Sequence, residues 1–170
     1  MGSCRIVADP WQHLEIDDAL LDPRAVLDAW PVDGWQDGRL CRKFQRVANA
    51  SLLDELLSIG AGFRCMLGLE QPELYPVALL VHDACDYRIR PHRDCAGKVL
   101  SSQIYLAEGV GHEDRGVTLL GRRSRRQIPY SLNYGYAFAV SKHSWHEVKP
   151  CDGERKSIQL IYYDTPTPQL

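Results

Sequence analysis

The sequence predicts an α+β fold that is mainly β, with small helices first and a sandwich or jelly roll after them. Two observations carry this. Beyond Pro76, eight short runs of β-forming residues follow one another, each closed by turn residues about every ten positions. Before it, apolar residues recur at helical spacing, as expected of helices braced against one sheet rather than of alternating βα units.

In chain order, Asp22-Pro23 is a helix start, with Asp as N-cap and Pro at the first helical position. The helix runs over Arg24 to Trp30, turns Val26, Leu27 and Trp30 to one side, and stops at Pro31. A second helix begins at Asn49 or Ser51, carries the stripe Leu52, Leu53, Leu56, Leu57 and Ile59, and is expected to end at Gly60 and Gly62. Phe63 to Leu69 reads as a short third helix. Residues about 1–75 are therefore expected to form a helical cover. The strands expected after it are Val77 to His82, Tyr87 to His92, Val99 to Leu106, Gly116 to Gly121, Arg125 to Tyr130, Tyr136 to Val140, Ser144 to Lys149 and Arg155 to Tyr163. They make a β core over about 76–164. No repeat and no long linker divides the chain, so 1–170 reads as a single domain.

With 45% hydrophobic and 25% charged residues the chain is expected to fold rather than stay disordered. A net charge of −2 supplies no global pull towards nucleic acid or an acidic membrane, and neither is expected as a partner. The apolar runs, such as Val77 to Val81, are too short to span a bilayer. Met1 to Pro10 lacks the apolar core of a signal peptide, and six scattered cysteines show no CxxC pair. Free thiols and a cytoplasmic location are the expectation.

The chemistry concentrates in Pro91-His92-Arg93-Asp94 and Trp145-His146-Glu147-Val148. Side chains two apart on a strand share a face, so His92 and Asp94 are expected to point one way and Arg93 the other. A sandwich can bring His146 opposite them. Two imidazoles and a carboxylate on one side of an octahedral ion leave positions open, the arrangement of non-haem Fe(II) sites. His-x-Asp alone occurs often by chance. It gains specificity from Arg155 and Ser157, which share a face of the next strand and can grip a carboxylate. The bland alternative for Arg155 is a solvent-exposed pair with Glu154 or Asp152. His143 falls in a turn, His112 in a polar loop, Cys95 reads as a packing residue and Trp145 as packing against the core. The basic loop Gly121 to Arg126 has no interleaved aromatics. It reads as a solvated strand connection partly paired with Glu113 and Asp114.

In this order, His92-Arg93-Asp94, His146 and Arg155-x-Ser157 resemble the 2-oxoglutarate/Fe(II)-dependent oxygenases, and in particular their prolyl-hydroxylase-like branch. The resemblance covers about Val77 to Asp164. It includes Gln103-Ile104-Tyr105-Leu106, Gly116-Val117-Thr118-Leu119 and Ala137-Phe138-Ala139-Val140-Ser141. It implies a double-stranded β-helix, iron held by His92, Asp94 and His146, and 2-oxoglutarate bound through its distal carboxylate by Arg155, with Ser157 and Tyr105 in support. It also implies O2 as oxidant, ascorbate as an accessory reductant, and hydroxylation of an unactivated C–H bond with release of succinate and CO2. His82 stands where some relatives carry a tyrosine, which makes it a pocket candidate or a core histidine. Arg115-Gly116 stands where many carry a glycine pair. Asp94 matters because related halogenases lack this carboxylate. Its presence therefore implies hydroxylation or a related oxidation.

Two rivals remain at this level. One is a catalytically silent jelly roll used for binding. The other is a cupin, where three histidines and a glutamate are usual and no carboxylate clamp is needed. The short chain favours a small-molecule substrate, free or carrier-bound, over a protein side chain.

Overall fold

A computed structural model describes residues 2–71 and 73–166. The chain forms β1 (Cys4–Val7), β2 (His13–Asp17), α1 (Pro23–Asp28), β3 (Gln36–Asp37), β4 (Arg42–Arg46), α2 (Ala50–Met66), β5 (Tyr75–Asp83), β6 (Ile89–His92) and β7 (Lys98–Tyr105). After a 3-10 turn at Glu113–Arg115 come β8 (Val117–Leu120), β9 (Arg125–Gln127), β10 (Tyr134–Ala139), β11 (Trp145–Val148) and β12 (Arg155–Tyr163). The strands build two antiparallel sheets, an eight-stranded one ordered β1-β2-β10-β7-β12-β5-β4-β3 and a four-stranded one ordered β6-β11-β8-β9. This is the expected jelly roll, and all eight expected strands are present, β12 with the expected ends and the others with shifted ones.

Alternation on the two central strands sets the layers. Ala78 and Leu80 on β5, with Ile158, Leu160 and Tyr162 on β12, face α2 and pack with its Leu56, Ile59 and Phe63. Each buried Leu, Ile or Phe side chain among them contributes about 1.5–3 kcal/mol. Their neighbours Val77, Leu79, Val81, Ile161 and Tyr163 form a separate cluster with Phe44. Between the sheets lie Tyr105, Val117, Leu119, Ile128, Tyr136 and Phe138.

The first quarter corrects the sequence reading. It is not a helical cover alone: β1 and β2 extend the large sheet beyond β10, and β3 and β4 extend it beyond β5. Arg42-Lys43-Phe44-Gln45-Arg46 is too polar to read as a strand, because only Phe44 packs into an apolar cluster while Arg42 pairs with Asp83 on β5. The second and third helices are one continuous α2. Gly60 does not end it but lets it approach the sheet: a Cβ there would stand 2.4 Å from Tyr162 Oη and 2.6 Å from Leu160 Cδ2. The helix stops at Gly68, whose φ of +67° supplies the left-handed turn. Both N-caps are as read, with Asp22 Oδ1 accepting from Ala25 N and Asn49 Oδ1 from Leu52 N, each at 2.9 Å. No helix among the described residues is long and apolar enough to cross a membrane.

Glu15 ties the two sheets together. Its buried carboxylate accepts from Arg5 on β1, Arg126 on β9 and the Tyr134 hydroxyl on β10. Burial alone would push its pKa up, but these donors hold it at about 2 against an ordinary 4.5. A lowered folded pKa means stability present above the unfolded value and lost as pH falls through the folded one. Denaturant titrations of wild type and Glu15→Gln should therefore differ by on the order of 2–3 kcal/mol at neutral pH and converge as pH drops from about 4.5 to about 2. A constant difference would show that the carboxylate's charge is not what stabilises the junction.

Candidate metal centre

β6 and β11 are paired so that His92 and His146 lie directly opposite each other, their ring centroids 4.3 Å apart. Each Nδ1 lies 3.0 Å from the carbonyl oxygen two residues earlier, Arg90 for His92 and Ser144 for His146. A carbonyl can only accept, so each Nδ1 carries the proton and each Nε2 keeps its lone pair for a metal. His146 is buried, and burial is the main cause that pushes its pKa down, keeping the ring neutral.

Asp94 completes the group, although not by the expected route. β6 ends at His92, so Asp94 sits in the following loop rather than two places along a strand. Lys98 Nζ donates to its Oδ1 at 2.9 Å, while Oδ2 is buried with no partner. Burial would raise its pKa, but the Lys98 ammonium outweighs it through its charge and its hydrogen bond and holds the group ionised. One ligand atom from each of His92, Asp94 and His146 lies within 4.8 Å of the others. Two imidazole nitrogens and an orphaned carboxylate oxygen match the donor set of Fe(II). A buried carboxylate oxygen with no hydrogen bond is costly unless a cation takes its lone pair.

The residues next to the ligands in sequence point away from this group. Arg93 lies over the ring of Trp145 at 5.2 Å. Trp145 does not pack into the core but is 42% exposed, because its neighbour His146 takes the inward direction.

Arg155 is 3% exposed, which excludes the surface pair with Glu154 or Asp152. Nη1 donates to the carbonyls of Arg115 (2.8 Å) and Lys149 (3.4 Å), and Nη2 to that of Tyr87 (2.9 Å). Of the five guanidinium N–H groups, Nε–H and one Nη2–H remain, with Nε 3.7 Å from Asp83 Oδ2. Asp83 is itself held by Arg42 through Nε (2.6 Å) and Nη2 (2.9 Å). The Tyr87 ring lies between the two arginines, 4.3 Å from Arg42 Cζ and 5.3 Å from Arg155 Cζ, and its pKa is pushed up to about 12, chiefly by burial.

Ser157 and Tyr105 are cross-strand partners. Ser157 Oγ accepts from Gln103 Nε2 at 2.7 Å, and Gln103 Oε1 accepts from Tyr136 Oη at 3.0 Å. Tyr105 Oη accepts from Val117 N at 2.9 Å, and burial raises its pKa, so its own proton stays available to donate. His82 is not brought to this group. It points to the other side of β5 from Asp83, against Trp35 at 5.8 Å and Glu154 Oε2 at 2.9 Å. His112 and His143 also lie outside it, and Cys95 is exposed.

Sequence reasoning missed Lys98, Tyr87, Asp83 and Arg42. The spacing of Asp94 and Lys98 was a usable signal. The Arg42–Asp83 pair was not, because forty-one residues separate its members. The basic loop is also differently paired: Arg125 meets Glu147 at 3.5 Å and Arg126 meets Glu15, while Glu113 and Asp114 take no part.

No family model and no curated protein matches the sequence. Solved structures do match. A Pseudomonas putida prolyl-4-hydroxylase superposes with a TM-score of 0.73 at 15% identity over 90% of this chain and 92% of that one. A Trichoplax adhaerens prolyl hydroxylase, in complex with a hypoxia inducible factor peptide fragment, gives 0.71 at 17% identity over 89% and 83%. The non-haem α-ketoglutarate-dependent epimerase SnoN from nogalamycin biosynthesis gives 0.58 at 15% identity over 89% and 77%. The paired histidines, the adjoining aspartate and the sheet order thus stand on the fold of the prolyl-hydroxylase-like 2-oxoglutarate/Fe(II) oxygenases, which this chain shares.

Proposed function

We propose that the protein is an Fe(II)- and 2-oxoglutarate-dependent oxygenase that hydroxylates an unactivated C–H bond of a small molecule. The observation that carries this is the partnerless, buried Oδ2 of Asp94 beside two imidazole Nε2 lone pairs. A silent binding module has no use for such a group, and a cupin would add a further histidine and a glutamate. His92, Asp94 and His146 would hold the iron. Bound iron, 2-oxoglutarate and O2 supply the oxidising power, with succinate and CO2 as co-products.

The protein's part is placement. The Nη2–H of Arg155 that meets no carbonyl suits the distal carboxylate of the co-substrate, while Nε faces Asp83, and the Tyr105 and Ser157 hydroxyls can each add a proton donor to it. All three groups are buried, where such hydrogen bonds are stronger than in water. A cleft of about 620 Å3, in the size range of small-molecule sites, lies next to the metal ligands: Cys95 and Lys98, the neighbours of Asp94, line it, and the ligands themselves do not. A peptide side chain is the second reading, favoured by the likeness to an enzyme bound to a peptide.

The test is succinate formation from 2-oxoglutarate with added Fe(II) under air. Slow iron-dependent turnover is expected without substrate, faster turnover with a small C–H substrate, and none in Asp94→Ala. Stimulation by proline-containing peptides but by no small molecule would replace the first substrate reading with the second. Absence of iron-dependent succinate under every condition would sink the oxygenase proposal.

A further inference from the structure

We propose that a groove between the β1–β2, β8–β9 and β10–β11 connections is a second binding site, one that takes a nucleoside phosphate. It is distinct from the metal centre and rests on its own observations. The groove has a volume of about 660 Å3 and is lined by Trp11, Arg122, Arg123, Lys142, His143 and Trp145, among others. A volume of this size accommodates a ligand of drug or cofactor dimensions.

Its charge is unbalanced in a way the loop sequence hides. Arg125 and Arg126 are neutralised by Glu147 and Glu15. Arg122, Arg123 and Lys142 form no ion pair among the described residues, and no carboxylate lines the groove. The nearby Asp9 is engaged through Oδ1 by the Ser124 hydroxyl. Three unpaired cations and an imidazole suit a doubly charged phosphate better than a single carboxylate, and the guanidinium fork matches phosphate oxygens in two places.

Aromatic rings, absent from the loop itself, are supplied from elsewhere in the chain. Trp11 reaches the groove from the β1–β2 connection. Its Nε1 donates to Leu120 O at 3.2 Å, and its ring meets Phe138 edge-on at 5.0 Å, so it is held in place. Trp145 comes from β11 and remains 42% exposed beside the cations. An exposed tryptophan flanked by unpaired positive charge is what a planar base bearing a phosphate requires: the ring stacks the base and the cations take the anion. Arg93 lies over the Trp145 ring at 5.2 Å, so a base would stack on the side it leaves open; inorganic phosphate would leave that side unused, and an uncharged ring would leave the cations unused.

The groove also lies back to back with the metal ligands. Trp145 adjoins His146, Leu120 adjoins the β8 partner of His146, and Phe138 touches both Trp11 and His146, the latter at 5.3 Å.

The test is a calorimetric titration of the iron-free protein at low salt with AMP, adenosine, inorganic phosphate and a short oligodeoxyadenylate. AMP should bind about tenfold or more tighter than either adenosine or phosphate, the size of one base stacked on an aromatic ring. Arg122→Ala/Arg123→Ala lies in an exposed turn and should keep its melting curve while losing about tenfold or more for AMP and phosphate alike. Trp145→Ala should lose affinity for AMP and not for phosphate. Equal affinity for AMP and the oligonucleotide identifies a free nucleotide as the ligand. Tighter oligonucleotide binding with a steep salt dependence identifies a single strand. AMP binding no tighter than phosphate, or unchanged in the double arginine variant, overturns the proposal. Because neither iron nor 2-oxoglutarate enters the measurement, its failure leaves the oxygenase proposal standing, and the reverse also holds.

Discussion

His146→Ala is expected to bind Fe(II) more than about 100-fold more weakly than wild type and to form no succinate, because even groups that only orient a metal ligand cost about 10- to 100-fold when removed. The same loss is expected for Asp94→Asn, which keeps the shape of the side chain and removes its charge. The reasoning is geometric. His146 and His92 are opposed across one strand pair, and their Nδ1 protons are committed to backbone carbonyls. Their Nε2 atoms therefore have no other partner to turn to when a third ligand is lost. Trp145→Ala, next to His146 but on the other face, should retain metal affinity and so exclude general damage to β11. A competition titration against a chelating dye reads all three. If His146→Ala held iron as tightly as wild type, the three residues would not be the metal site.

Asp83→Asn is expected to destabilise the fold by about 3–5 kcal/mol, the usual cost of stranding a buried charge. Here two guanidinium groups lose their counter-ion at once. Arg42 loses a bidentate pair at 2.6 and 2.9 Å, and Arg155 loses the carboxylate 3.7 Å from its Nε. Both arginines lean on Tyr87, so its packing at the end of the barrel is disturbed as well. Arg42→Met should cost less, since Asp83 would keep Arg155 as its partner. Urea unfolding measures this as a lower midpoint with an unchanged slope, and the melting temperature of a chain this size should fall by about 6–20 °C. A smaller loss in Asp83→Asn than in Arg42→Met would mean that the carbonyls of Tyr87, Arg115 and Lys149 suffice to hold Arg155.

Local pattern made much of this molecule legible. Runs of β-forming residues closed by turn residues located β5, β7, β10 and β12, and Asp22 and Asn49 announced two helix starts. Pattern failed where a residue's reason lay across the fold. Gly60 looks like a stop signal and is a contact surface for Tyr162. The segment Arg42 to Arg46 looks like a loop and is a strand whose inward arginine meets Asp83. Trp145 looks like core and is displaced outward by the demand on its neighbour. His82, one position from Asp83, falls on the wrong side of β5 for the role its place in the sequence suggested.

By itself, then, the sequence determined the β class, the starts of two helices and the identity of the residues able to ligate a metal, because these depend on side-chain chemistry and spacings of a few residues. Only the tertiary structure decided which lone pairs are free, that Arg155 already serves three backbone carbonyls, that Lys98 holds one oxygen of Asp94 while the other stays open, and that tryptophans far apart in the chain flank one basic loop. Those are outcomes of register between strands and of burial. Both are set by contacts between residues tens of positions apart, which no local pattern encodes.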